Sequence, residues 1–404
     1  MRVIKTISNI CILIALYYLV YYIYVGYINP IPLDGDSWDY HIPITLSILN
    51  GSFINASYYT ITELHNLFNG SIHELSQWYY PGSSETINAF FILFHIPTFS
   101  NIFAAIILFF CLYKLAQTFQ LSKYYSLLFA LSFCTLTVIL RWLNAVSIDV
   151  WVGVWFTLAI ILLEYPKKNL IYFTKLGFVF GMLIGSKYTA IYFIIVLIVF
   201  YLKKILSYIN IWRTLAFLVP FSLFGLFWYI RNYLLTANPF YPIARFGFKG
   251  PLSFNNSVLI ETIHHPIEML NAGFGEYHLW LFSILISITI LIHHYVIKKD
   301  VRLDSISKVS LIGLINFIFY FTFPTSSQTW IMTSSFRYSL PSFIPLILVV
   351  FMLAKKYGKA ELIGYFVIAN MINRLTMAYY PKLIIIYLPI SLAVFYFINK
   401  RAYN

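Results

Sequence analysis

The sequence predicts an all-α polytopic membrane protein, and three observations lead there. Hydrophobic residues make up 60% of the 404 positions and charged residues only 10%, with a mean hydropathy of +0.79, far outside the range of a soluble domain this long. Apolar runs long enough to cross a bilayer core of roughly 30 Å recur along the chain. Lys and Arg punctuate the chain between those runs without forming a large basic cluster, so the net charge of +13 reads as membrane orientation and excludes nucleic acid as a partner.

A sliding window of about 19 residues places about twelve spans, near 10–28, 96–114, 124–140, 149–165, 170–186, 188–203, 212–231, 279–297, 307–323, 338–354, 360–374 and 383–399. The first follows Arg2 and Lys5, lacks a small-residue cleavage site and reads as a retained span. Cys11, Cys111 and Cys134 fall within apolar runs and read as packing residues rather than a disulfide or zinc framework.

Basic residues remain on the cytoplasmic side. Arg2/Lys5, Lys114/Lys123, Lys167/Lys168, Lys203/Lys204/Arg213, Lys298/Lys299/Arg302/Lys308, Lys355/Lys356/Lys359 and Lys400/Arg401 form that set, and the scattered external exceptions include Arg141, Arg374 and Lys382. No Lys or Arg occurs from Thr6 to Tyr113, so the segment 29–95 is expected outside, carrying Asp34, Asp36, Asp39, Glu63, Glu74 and Glu85. Both termini are then cytoplasmic. The long external segments are 29–95 and 232–278, within a single membrane domain covering 1–404. Abundant Ile, Asn, Lys and Tyr point to an AT-rich bacterial genome and hence to the cytoplasmic membrane.

Two stretches of the first external segment carry short-helix signals. In "TITELHNLFNG" Thr60 and Glu63 have capping-box spacing and Gly70 is a stop; in "HIPITLSILNG" Pro43 suits a first turn, Ile42, Leu46 and Leu49 share a face, and Gly51 ends it. Both read as amphipathic helices on the membrane surface.

Chemistry concentrates at the expected outer ends of spans. Asp36 is the first candidate, because a carboxylate just past a span can take the proton of a hydroxyl brought to it; the competing reading is a solvated Asp-Gly-Asp turn. Asp149 opens the fourth span, where a helix N-terminus favours an anion, and it can serve either the dipole or a substrate. Lys187, Arg231 and Arg337 reach the same face, which suits a phosphate-bearing lipid, although Lys187 could also snorkel to water. Asp39 and His41 lie beside Asp36 as substrate contacts, His41 being able to orient a carboxylate; the competing reading of a histidine beside Tyr40 is a surface hydrogen-bonding residue. His264, His265 and Glu268 have no established zinc spacing and read as loop residues. The sequons at Asn50, Asn55, Asn69 and Asn255 matter where the host glycosylates external loops.

The order of these motifs resembles that of bacterial GT-C superfamily glycosyltransferases, similar to the aminoarabinose and protein O-mannosyl transferases. Asp36, Tyr40, His41 and Pro43 match an early external D-x-x-x-Y-H-x-P, and "YYPGSSE" (Tyr79 to Glu85) resembles YP-x-G-x-E. "SID" at Asp149, "GSKYTA" (Gly185 to Ala190), "RNYLLTANPFYP" (Arg231 to Pro242) and "RYSLP" (Arg337 to Pro341) follow in family order. Ala237, Ser186 and Ile44 depart from positions where the family often has Gly, Thr and Arg. The resemblance implies a helical bundle whose first external loop lies over a cavity, and a polyprenyl-phosphate-linked sugar as donor. It makes Asp36 the base, Asp149 a second acid that positions acceptor or sugar, and Lys187, Arg231 and Arg337 the phosphate contacts. Inversion at the sugar carbon is the implied outcome. The acceptor is a glycan, lipid or protein hydroxyl, and the superfamily includes members with and without a divalent metal.

Two other classes compete. A transporter or lipid flippase would place its ionisable groups near mid-span and show repeated halves, which this sequence lacks. An O-antigen polymerase or ligase resembles a pattern with a late, basic catalytic loop, whereas the acids here come early.

Overall fold

The computed structural model describes residues 2–30, 32, 34–54, 79–167, 169–251, 256–297, 299, 303–325, 335–375, 389 and 393. The span expected at 383–399, the helix expected at 60–70 and the sequons at Asn55, Asn69 and Asn255 lie outside them.

The chain is mostly helical. In order run α1 (Arg2–Ile28), a π-turn (Ser37–His41), α2 (Ile42–Leu49), α3 (Glu85–Leu93), α4 (Ser100–Thr118), α5 (Lys123–Cys134), α6 (Thr137–Leu140), α7 (Asp149–Glu164), α8 (Leu170–Ile184) and α9 (Ala190–Leu206). Then follow α10 (Ile211–Phe221), a π-turn (Ser222–Leu226), α11 (Phe227–Thr236), α12 (Val258–His264), α13 (Pro266–Tyr277), α14 (Ser283–Leu291), α15 (Ser305–Tyr320), α16 (Leu340–Lys356) and α17 (Ala360–Leu375). A two-residue antiparallel pair, β1 (Asn256–Ser257) with β2 (Pro324–Thr325), is the sheet among the described residues.

Five helical segments among the described residues are long and apolar enough to cross a membrane: Ile4–Ile28, Pro97–Thr118, Ile211–Thr236, Pro266–Ile297 and Ser335–Lys356. Leu170–Ile184 and Ser305–Tyr320 are apolar but shorter. Local chemistry sets several ends. Asn169, Asn210 and Asp304 cap α8, α10 and α15 by accepting from Tyr172, Arg213 and Ser307 backbone N–H groups at 2.8, 2.9 and 2.7 Å. Lys203 and Lys204 close α9 where the helix dipole favours cations.

Two expected spans are interrupted. The run near 124–140 breaks between α5 and α6, where the Thr135 hydroxyl bonds the Leu131 carbonyl at 2.8 Å and Leu136 turns extended. In the run near 212–231, Pro220 supplies no N–H to the helix, and the next turn unwinds to π at Ser222–Leu226 before α11 resumes. Part of the segment 232–278 is itself helical, as α12 and α13.

The chain divides into two compact units, one of residues 1–20, 108–141 and 256–404, the other of residues 21–107 and 142–255. In the first, α15 and α16 pack closely at Gly313, where an added Cβ would lie 2.6 Å from Leu346, and Tyr277 stacks on Phe343 at 3.8 Å. In the second, α8 lies directly on α10 and the following π-turn. Gly177 and Gly185 make this possible, since a Cβ at either would come within 2.0 Å of the Phe217 or Phe224 carbonyl oxygen. That contact brings the turn carrying Lys187 against the segment carrying Ser83.

Candidate functional site

The site builds up from the acidic turn. Asp34 serves as its cap, accepting from the Ser37 N–H at 2.9 Å and the Ser37 hydroxyl at 2.6 Å. The Ser37 hydroxyl in turn accepts from the Val146 N–H at 2.8 Å, and the Trp38 indole N–H donates to the Pro32 carbonyl at 2.7 Å. Asp36, half-buried, stands immediately before the π-turn, and the backbone of Asp39 lies within it. The expected helix follows as α2, with Pro43 in its first turn and Gly51 just beyond at φ +79°. Its buried positions are Ile42, Pro43, Ile44, Thr45 and Ser47, while Leu49 is exposed, so the face expected from Ile42, Leu46 and Leu49 is only partly the packed one.

His41 is fully buried and does not lie on the surface. Its Nδ1 meets the carboxylate of Glu85, itself 1% exposed. Asn88 donates to the other Glu85 oxygen, and the Ser100 hydroxyl donates to the Asn88 amide oxygen. This chain from α4 through α3 to the acidic turn satisfies a carboxylate that would otherwise be costly to bury.

Asp149 begins α7 and is 4% exposed. Lys187 donates to it at 2.7 Å, and the two side chains are 19% and 5% exposed, so the pair is largely out of water. The Lys187 turn is held by the "GSSE" segment: the Ser83 N–H donates to the Gly185 carbonyl at 2.7 Å, and the Ser84 and Ser186 hydroxyls bond each other. The Trp155 indole N–H reaches Ser84 at 3.1 Å.

Arg231 is buried and its guanidinium holds the protein's own backbone. It donates to the Phe53 carbonyl at 3.1 Å, the Tyr79 carbonyl at 3.0 Å and the Asn232 side chain at 2.7 Å, lying 4.9 Å from the Trp228 ring. Asn232 adds bonds to the Tyr79 carbonyl and the Tyr188 hydroxyl, both at 2.8 Å. Burial, with Tyr241 nearby, pushes the Tyr79 hydroxyl above the usual phenol range, and Arg231 opposes that rise. Rings of Tyr40, Tyr80 and Tyr188 touch edge to face at 5.6 and 5.9 Å, linking the acidic turn to the Lys187 turn.

One unit therefore holds Asp36, Asp39, His41, Asp149, Lys187 and Arg231. Arg337 belongs to the other, buried in the turn Ser335–Ser339 with a bond to the Tyr338 hydroxyl at 3.3 Å. His265 stands 4.0 Å from Glu261, which accepts from Asn256 at 2.6 Å, a loop-tying arrangement. Among the described residues no group of three or more His, Cys, Asp or Glu side chains is placed to hold a metal ion.

Sequence reasoning did not assign roles to Glu85, Asn88, Ser37 or Asn232. A usable signal was present for the first two: Glu85 and Asn88 stand three apart on one helix face, polar groups in an apolar chain. Comparison of the chain with protein-family models, curated proteins and solved structures finds no match.

Proposed function

We propose that this chain is a membrane-embedded group-transfer enzyme working at the non-cytoplasmic face. Within that class the reading is a GT-C-type glycosyltransferase of about twelve spans with both termini cytoplasmic, moving a sugar from a polyprenyl-phosphate carrier to a hydroxyl of a glycan, lipid or protein. The observation that carries it is convergence. Five short segments scattered from Asp36 to Pro242, each resembling a family motif, interlock in one unit, with Asp149 and Lys187 at 2.7 Å and Ser37 bonded to the Val146 backbone.

In this mechanism the acceptor hydroxyl gives its proton to the Asp36 carboxylate. Its oxygen forms the new bond to the anomeric carbon as the bond from that carbon to the phosphate oxygen breaks. The electron pair leaves with the polyprenyl phosphate, and Lys187 meets the added negative charge. A single displacement inverts the sugar carbon. Asp149 holds Lys187 in place and contacts acceptor or sugar. Arg231, occupied by the Phe53 and Tyr79 carbonyls, is assigned to the wall of the site and Lys187 to the phosphate.

A carrier is favoured by one feature, the π-turn interrupting Ile211–Thr236, since broken helices line transport sites. The Phe224 carbonyl of that turn, however, accepts from Ser83, and the Asp149–Lys187 pair joins the start of α7 to the turn between α8 and α9. The test is transfer from a polyprenyl-phosphate sugar in membranes bearing Asp36→Asn. With insertion unchanged, loss of the base should reduce turnover by roughly 10²- to 10⁴-fold; near-normal turnover overturns the assignment.

A further inference from the structure

We propose that Glu85 and His41 are positioning residues, whose buried pair fixes the winding of the turn Ser37–His41 and thereby aims Asp36. This rests on the assignment of Asp36 as base and deepens it. The turn is wound as π: the Ile42 N–H donates to the Ser37 carbonyl, five residues back. In an α-helix a residue five positions on lies about 140° round the axis. The wider π winding reduces that offset, so Asp36 lies nearer to the side of the turn that carries His41 than an α-helical turn would place it.

Such a turn persists where its ends are held, and both are. Ser37 is bonded to Asp34 at 2.6 Å and to the Val146 N–H at 2.8 Å. At the other end, Glu85 grips His41 and is itself fixed by Asn88, which Ser100 holds in turn. All four of these groups are at most 1% exposed. Apolar contacts alone would anchor α2. A buried carboxylate with directional partners does more, since it selects one orientation and one register.

The experiment combines deuterium exchange with kinetics on the purified full-length protein carrying Glu85→Gln, with His41→Gln as a second variant approaching the pair from the other side. Amides of 37–46 should exchange about tenfold faster or more in either variant, while α8 and α10 keep their protection. Turnover should fall at least about tenfold with KM for the acceptor nearly unchanged, as misorientation of a reacting group demands. Adding Glu85→Gln to Asp36→Asn should cause no further loss, because Glu85 acts through Asp36. Wild-type exchange at 37–46 together with unchanged turnover overturns the proposal, as does a full additional loss in the double variant. An active Asp36→Asn variant would sink the base assignment alone, and the exchange result would still decide whether the pair holds the turn.

Discussion

Lys187 and Asp149 offer the sharpest quantitative prediction. Replacing Lys187 with Met keeps chain length and apolar stem but removes the ammonium, leaving a carboxylate 5% exposed without the donor at 2.7 Å. Breaking a buried pair from one side costs about 3–5 kcal/mol. The N-terminus of α7 still faces Asp149 and recovers about 0.3–1 kcal/mol of that. The expected net destabilisation of Lys187→Met is therefore about 3 kcal/mol. Asp149→Asn should cost less, about 1–2 kcal/mol, because Lys187 is 19% exposed and its stem lets the ammonium move toward water. The double variant leaves neither charge buried and should lie within about 1 kcal/mol of wild type. Reversible unfolding of the four proteins in mild detergent measures the cycle. Additive costs in the double variant would refute the reasoning, since they would mean that the two side chains do not share one interaction.

Other predictions concern the frame around the site. Gly185→Ala forces a Cβ to within 2.0 Å of the Phe224 carbonyl oxygen and should destabilise the protein by about 1–3 kcal/mol in the same unfolding assay. Arg231→Lys keeps the charge but cannot serve the Phe53 and Tyr79 carbonyls and Asn232 together, so about 3 kcal/mol of charged hydrogen bonding should be lost, read as a lower melting temperature. A thiol introduced by Asn50→Cys, at the exposed end of α2, should react with a membrane-impermeant maleimide added to intact cells, and labelling only after lysis would reverse the orientation.

Much of the fold was legible because apolar runs and their ends obey simple rules. α7 begins at Asp149, where the carboxylate meets a helix N-terminus, α8 and α9 follow the expected apolar runs closely, and α1 ends at Ile28 as expected but begins already at Arg2. The breaks at Leu136 and after Pro220 were not read, since hydropathy averages over a Thr hydroxyl turning back on its own helix or a Pro lacking an N–H. At the site, five of the six quoted motifs fall in one unit, and the sixth, at Arg337, falls in the other. The separate roles of Asp34 and Asp36 were blurred, although Asp34 and Ser37 already have cap spacing. The Glu85–His41 contact joins positions 44 apart, beyond any periodicity. Charge alone likewise says nothing about whether Arg231 meets a phosphate or the protein's own carbonyls.

The most direct measurement is a structure with a polyprenyl-phosphate sugar analogue bound. The account predicts a phosphate oxygen at about 2.7–2.9 Å from Lys187 Nζ, the Asp36 carboxylate on the face of the anomeric carbon opposite that phosphate, and Arg231 still on its carbonyls. A phosphate seated away from Lys187, with Asp36 remote from the sugar, would contradict it.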